Sequence, residues 1–304
     1  YWPDNDSVRT DLLDYAYEIE YFDQHLGQML QLLQDAGELD NTLVVVTADN
    51  GMPFPRIKGQ AYEMANHLPL AMRWPQGLAQ PGRSVEAFVS FIDFAPTFLE
   101  LAGVDPRQSG MQPITGLSLT DILYQQPHTD RPDYVLIGKE RHDIGRPHDQ
   151  GYPIRGIVKG EFLYLHNFEP DRWPAGNPET GYLNCDGSPT KTAVLQRRYH
   201  PAEQHYWQAC FGKRPPEELY RISTDPHCTH NLAANLAYTE TLQTLKSQLF
   251  AQLTAQQDPR MLGQGQLFDA YPYADQRQRG FYERYLAGEP LRAGWVNETD
   301  FQPE

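Results

Sequence analysis

The chain has 304 residues, with 25 Lys and Arg against 40 Asp and Glu, a net charge of −15. That balance excludes nucleic acid and anionic membrane surfaces as main partners, since both require a surplus of basic residues. Hydrophobic residues make up 40%, which excludes a fully disordered chain, and the longest apolar runs are too short for a membrane span.

In chain order, Leu12, Tyr15, Ile19, Phe22, Leu26, Met29 and Leu33 recur at spacings of three and four, predicting one long amphipathic helix. Asp6 or Ser7 is placed to cap its start, and Gly37 its end. The β-branched run 42–48 reads as a strand buried on both faces. A long helix, a short turn and a buried strand point to a parallel α/β sheet. Residues 68–74 form a second strand near a sheet edge, because of Pro69. Residues 89–101 read as a strand end running into a helix, with Pro96 in its first turn and Gly103 as its C-cap, and 117–124 as another short helix. From about Pro132 the strands shorten (134–137, 155–158, 162–165), predicting a smaller antiparallel subdomain. Residues 168–216 are proline-rich and aperiodic, so a long loop region is expected. A last amphipathic helix covers 238–256, and an irregular extension follows from Asp258. The domain boundaries expected are therefore 1–130, 131–257 and 258–304.

Cys185, Cys210 and Cys228 are too few for a disulfide scaffold, although one bridge with one thiol left over is possible. None has C-x-x-C spacing, which argues against structural zinc.

The stretch most informative about chemistry follows the first strand: Asp49-Asn50-Gly51, a Gly/Pro loop, then Lys58. In open α/β sheets, ligands bind outside the carboxyl ends of strands. Asp49 and Asn50 are hard oxygen donors suited to Ca²⁺ or, less well, Mg²⁺. A lysine nine residues on can meet an anion at the same place. Each residue also has a plainer reading. Asp-Asn-Gly is a common turn, Lys58 alone is a surface charge, and His67 alone is a hydrogen-bonded histidine. Glu140, Arg141, His142, Arg146 and His148 cluster after a strand, either as a solvated loop or as groups that read a sugar.

Several segments in sequence order resemble the sulfatase family of the alkaline phosphatase superfamily. They are the helix 15–27, Asp40 to Gly51, Lys58 to Glu63, His67-Leu68-Pro69-Leu70, Asp93 to Phe98, Gly116 to Leu119, and the closing Glu218-Leu219-Tyr220, Asp225-Pro226 and Asn231-Leu232-Ala233. Asp49 to Pro55 and Asp171 to Gly176 further resemble the branch containing heparan N-sulfatase. The resemblance, over roughly 8–235, implies a fold class: the C-terminal part of an alkaline-phosphatase-like α/β domain, with a parallel or mixed sheet flanked by helices, then a smaller α+β subdomain with a short antiparallel sheet.

It also implies hydrolysis of a sulfuric ester or N-sulfate on a sulfated carbohydrate. Asp49 and Asn50 would hold Ca²⁺, and Lys58 would contact the sulfuryl group as a catalytic and substrate-binding residue. Arg56, His67, Glu140 and His142 would be further substrate-side candidates. Other readings stay open: a phosphodiesterase or phosphonate hydrolase of the same superfamily, or a non-catalytic carbohydrate-binding protein.

The family nucleophile is a formylglycine made from Cys or Ser in C/S-x-P-x-R. No Cys or Ser here has that context, and the family's early Asp-Asp metal pair is also missing from the sequence. Tyr1-Trp2-Pro3-Asp4 reads as the middle of a loop. The expectation is therefore the C-terminal part of a sulfatase, whose N-terminal part is a required partner. Alone, such a chain would be inactive, would expose a strand edge and apolar faces, would fold poorly, and would bind Ca²⁺ weakly. The resemblance suggests a periplasmic, secreted or lysosomal setting.

Overall fold

A computed structural model describes residues 1–126 and 131–303. Residue 130, where the sequence places the first domain boundary, lies outside the described residues. By its internal contacts the chain divides into two units. One comprises Ile19–Ala48 and Pro69–Val135. The other comprises Tyr1–Glu18, Asp49–Leu68 and Leu136–Glu304.

Helix α1 runs Asp6–Asp35. Its cap is Asn5 rather than Asp6 or Ser7, because the Asn5 Oδ1 accepts the Val8 N–H at 3.0 Å, three residues in. Its end is a Schellman turn. Gly37, at φ 73°, donates to the Gln34 carbonyl, and Glu38 donates to the Leu33 carbonyl. Val8 is its one buried residue among those described. Much of the predicted stripe stands in solvent, with Ile19, Phe22 and Met29 about half exposed.

In the unit holding Ile19–Ala48, strand β1 is Val44–Thr47 and β2 is Leu70–Arg73. The one-turn helix α2, Glu63–Asn66, lies between them in sequence. The two strands pair antiparallel, Val44 opposite Arg73 and Thr47 opposite Leu70. The sequence points to a parallel sheet, but a parallel pair needs a crossover element and residues 49–68 supply only α2, so these two strands pair antiparallel instead. All four β1 residues are half-buried rather than buried on both faces as expected. No strand forms at Val89. Ser90 and Asp93 instead make a reciprocal capping box that turns the chain directly into α3, Phe94–Leu101. The Asp93 carboxylate also accepts the Leu117 N–H at 2.8 Å, tying down the approach to α4, Thr120–Tyr124.

The second sheet has the order β3-β4-β5-β6, with β3 Tyr134–Lys139, β4 Ile154–Lys159, β5 Phe162–Asn167 and β6 Glu217–Arg221. The β4–β5 and β5–β6 pairs are antiparallel. The aperiodic stretch 168–216 is no open loop. It carries α5, Pro189–Leu195, and α6, Gln204–Phe211. It also supplies a core of Tyr182, Cys185, Val194, Trp207, Cys210 and Phe211, onto which Tyr1, Trp2 and Trp173 pack. A few large aromatic residues bury enough area to order a segment that has no repeating pattern. Helix α7, Thr239–Ala255, buries Leu242, Leu245, Leu249 and Leu253 and contacts β4 and β5.

The expected irregular tail is likewise part of the fold. It forms α8, Gln266–Ala270, and α9, Phe281–Leu286. Phe281 and Ala293 complete a second core with Ile144 and Leu183. Lys191 and Asp300, both fully buried, meet at 3.0 Å. The three cysteines are free and buried. Among the described residues no helix is long and apolar enough to cross a membrane.

Candidate functional site

The loop after β1 begins with Asp49 and Asn50. The Asn50 Nδ2 donates to the Asp49 Oδ1 at 2.6 Å. That hydrogen bond, helped by backbone N–H groups and the charge of Lys58, holds the Asp49 carboxyl below its usual range. Gly51 is required here: a Cβ would lie 2.3 Å from the Met64 carbonyl oxygen and 2.7 Å from Ile57.

An ionised carboxylate beside an amide suits a hard divalent cation. The amide now turns its nitrogen toward the carboxylate. Half a turn of the Asn50 amide would bring its oxygen to that side. Among the described residues no group of three or more His, Cys, Asp or Glu could hold a metal.

Arg56 has a different occupation. It is buried and donates to the carbonyls of Ala209 at 2.5 Å, His227 at 3.4 Å and Cys228. Its guanidinium lies 4.0 Å from the Tyr62 ring centroid. Tyr62 in turn donates to the buried Glu218 at 3.0 Å, which also accepts from Tyr220 and Asn167. This network anchors the loop so that Lys58, two residues on, is left at its tip.

The Lys58 Nζ meets the Asp186 Oδ2 at 2.6 Å, with each side chain about a third exposed (29% and 32%). Gly59 follows at φ 73°, and a Cβ there would fall 2.7 Å from the His142 ring and 3.0 Å from the Asn184 carbonyl oxygen. The Gly59 carbonyl accepts from Lys139. Burial, then the nearby Arg146 and Arg214, holds the Lys139 ammonium well below its usual pKa. His142 keeps an exposed surface but is pushed below the ordinary histidine range, first by desolvation against its neighbours and then by Lys139 and Lys58. It is neutral at pH 7 and offers one donor and one acceptor. Asn184 is 1% exposed, and neither side-chain polar atom has a partner.

Gly59→Ala is expected to cost about 1–3 kcal/mol, from the positive φ and the two close approaches. The check is a lower urea midpoint at unchanged slope.

Lys58 and His142, named by the sequence, are thus brought together around Gly59. His67 stands apart, its ring 79% exposed and its Nδ1 2.6 Å from the Glu63 carboxylate. Glu140 is engaged by Arg155 at 2.5 Å and Arg260 at 2.8 Å, and Arg155 also holds Asp258 at 2.6 Å. Arg146 is buried and donates to the carbonyls of Trp173 and Pro174. Asp186, Asn184 and Lys139 were not legible in the sequence. Asp186 lies in Cys-Asp-Gly-Ser-Pro, whose only apparent message is that Cys185 lacks a nucleophile motif.

A family model described as Sulfatase matches residues 3–104. Residues 3–104 therefore form a sulfatase-family segment. The N-sulphoglucosamine sulphohydrolase of Homo sapiens is 31% identical over 261 residues, which is 81% of this chain and 48% of that protein. An ulvan-active sulfatase of Formosa agariphila is 29% identical over 275 residues, 88% of this chain and 42% of that one. The chain spans about half the length of the curated relatives it matches.

Among solved structures, a protein in complex with its substrate D-glucosamine-2-N,6-O-disulfate aligns at a TM-score of 0.53 and 21% identity, over 78% of this chain and 39% of that one. A phosphonate monoester hydrolase of Agrobacterium radiobacter aligns at 0.52 and 20%, over 77% and 39%. These likenesses show an alkaline-phosphatase-like α/β fold. Asp49, Asn50 and Lys58 all lie within the matched 3–104 segment.

Proposed function

We propose that this chain carries one side of the catalytic crevice of a calcium-dependent sulfatase that hydrolyses a sulfuric ester or N-sulfate on a carbohydrate. The observation that carries the reading is Lys58. It is a part-exposed ammonium on a loop pinned by Arg56, answered by one carboxylate, nine residues after the oxygen pair Asp49 and Asn50. Likeness to a human N-sulphoglucosamine sulphohydrolase and to a fold neighbour bound to a disulfated glucosamine supports a sulfated amino sugar as substrate.

Lys58 would bind a sulfuryl oxygen and offset the charge that builds on it as the S–O or S–N bond breaks. Asp49 and Asn50 would hold the cation, which supplies Lewis-acid polarisation of the same group. His142, neutral at pH 7, would orient a substrate oxygen by donating or accepting a hydrogen bond. Cys185, Cys210 and Cys228 are buried and lie outside any C/S-x-P-x-R context. The formylglycine nucleophile is therefore assigned to residues beyond these 304.

The fold likeness to a phosphonate monoester hydrolase favours one second reading, attack on phosphorus within the same superfamily. Peptide mass spectrometry on the protein from its source, paired with assays on N-sulfated and 6-O-sulfated glucosamine, separates the two. A formylglycine-bearing peptide with sulfate release is the expected result. An unmodified Ser or Thr nucleophile with phosphonate ester turnover and no sulfate release would sink the sulfatase reading.

A further inference from the structure

Lys58 does not face an empty anion site. Its ammonium is held by the Asp186 carboxylate, and that carboxylate has little freedom to withdraw. The backbone on either side of it is tied down. The Leu183 carbonyl accepts from Trp295 Nε1 at 2.8 Å, and Asn184 donates to the Ala175 carbonyl at 3.0 Å. The Cys185 carbonyl accepts from the buried Lys191 at 2.7 Å, and Gly187 donates to the Trp295 carbonyl at 2.7 Å. Asp186 can turn its side chain, but its charge stays beside Lys58 whether or not an anion arrives.

Resting on the reading of Lys58 as the sulfuryl contact, we propose that Asp186 is a specificity-determining residue: a fixed negative charge that favours a singly charged sulfuryl group over doubly charged tetrahedral anions. The argument is electrostatic. Coulomb repulsion is linear in the ligand's charge, so a dianion suffers about twice the penalty of a monoanion at the same place. A sulfate ester or N-sulfate carries one charge. Inorganic sulfate carries two, and a phosphate monoester carries nearly two at pH 7. Asp186 therefore weakens the binding of phosphate monoesters and of the sulfate product more than that of the substrate group.

The test is equilibrium titration of the full chain with methyl sulfate and with inorganic sulfate, at pH 7.5 and constant ionic strength. D186N is expected to tighten methyl sulfate by roughly threefold and inorganic sulfate by roughly the square of that factor, about tenfold. D186S, equally uncharged, should reproduce the pattern, which guards against an effect peculiar to one side chain. K58Q should weaken both ligands. Equal gains for the two anions, or weaker binding in D186N, overturns the assignment of Asp186 while K58Q still bears out Lys58. Unchanged binding in K58Q overturns the Lys58 reading, and with it this inference.

Discussion

On the proposed reading of the site, replacing Lys58 with Met in the protein from its source is expected to lower kcat/KM on a sulfated glucosamine by about 10²–10³-fold, the scale of losing one preorganised charge at the reacting group. The fold should survive. Among the described residues the one hydrogen-bond partner of the ammonium is Asp186, which is itself a third exposed and stays hydrated without it. The melting temperature should therefore move little while turnover collapses. Arg56→Met supplies the contrast. That side chain holds three carbonyls and stacks on Tyr62 from a buried position, so its loss leaves unpaired polar groups inside. It should reduce stability first, with activity falling as the folded fraction falls. Kinetics and melting curves on the two variants check both halves. Full activity in Lys58→Met with normal folding would remove the residue from the mechanism.

The second large effect concerns the Lys191–Asp300 pair. Both side chains are fully buried, and the ammonium spends its protons on Asp300 at 3.0 Å, the Gly181 carbonyl at 2.8 Å and the Cys185 carbonyl at 2.7 Å. Asp300 also accepts the Asn297 N–H at 3.0 Å. Lys191→Met or Asp300→Leu alone is expected to cost about 3–5 kcal/mol, because each leaves an unpaired charge in the interior. The double variant should recover part of that loss, since both charges leave together. Urea unfolding of the four proteins closes the cycle. Single variants within about 0.5 kcal/mol of the parent would mean that solvent reaches the pair.

The legible parts of the fold were those with a period. The 3–4 spacing of α1, the leucines of α7 and the short strands around 134–167 stand close to where the sequence puts them. The Asp49–Lys58 loop was legible because its residue types carry chemistry in a recognisable order. What stayed hidden has no period. Trp207 and Tyr182 lie in the aperiodic stretch 168–216 and Phe281 in the polar tail, yet all three are core residues. Asp186 reaches Lys58 from 128 residues away, a pairing set by tertiary closure and not by any local pattern. The antiparallel β1–β2 register was also beyond reach, since an apolar run states its burial and not the direction of its partner.

The larger unit uses both extremes of the chain. Tyr1 and Trp2 pack on the core that holds Trp207 and Phe211, and the Trp2 indole donates to the Pro55 carbonyl at 3.0 Å. At the other extreme, Asp300 neutralises Lys191, and the Pro303 carbonyl accepts from Arg198 at 2.5 Å. These contacts join residues far apart in sequence, so they close late in folding, after most of the loop entropy has been lost. Until Asp300 docks, Lys191 has no countercharge, and the aromatic cluster is open to other chains. Refolding of this unit should therefore be slow and sensitive to protein concentration.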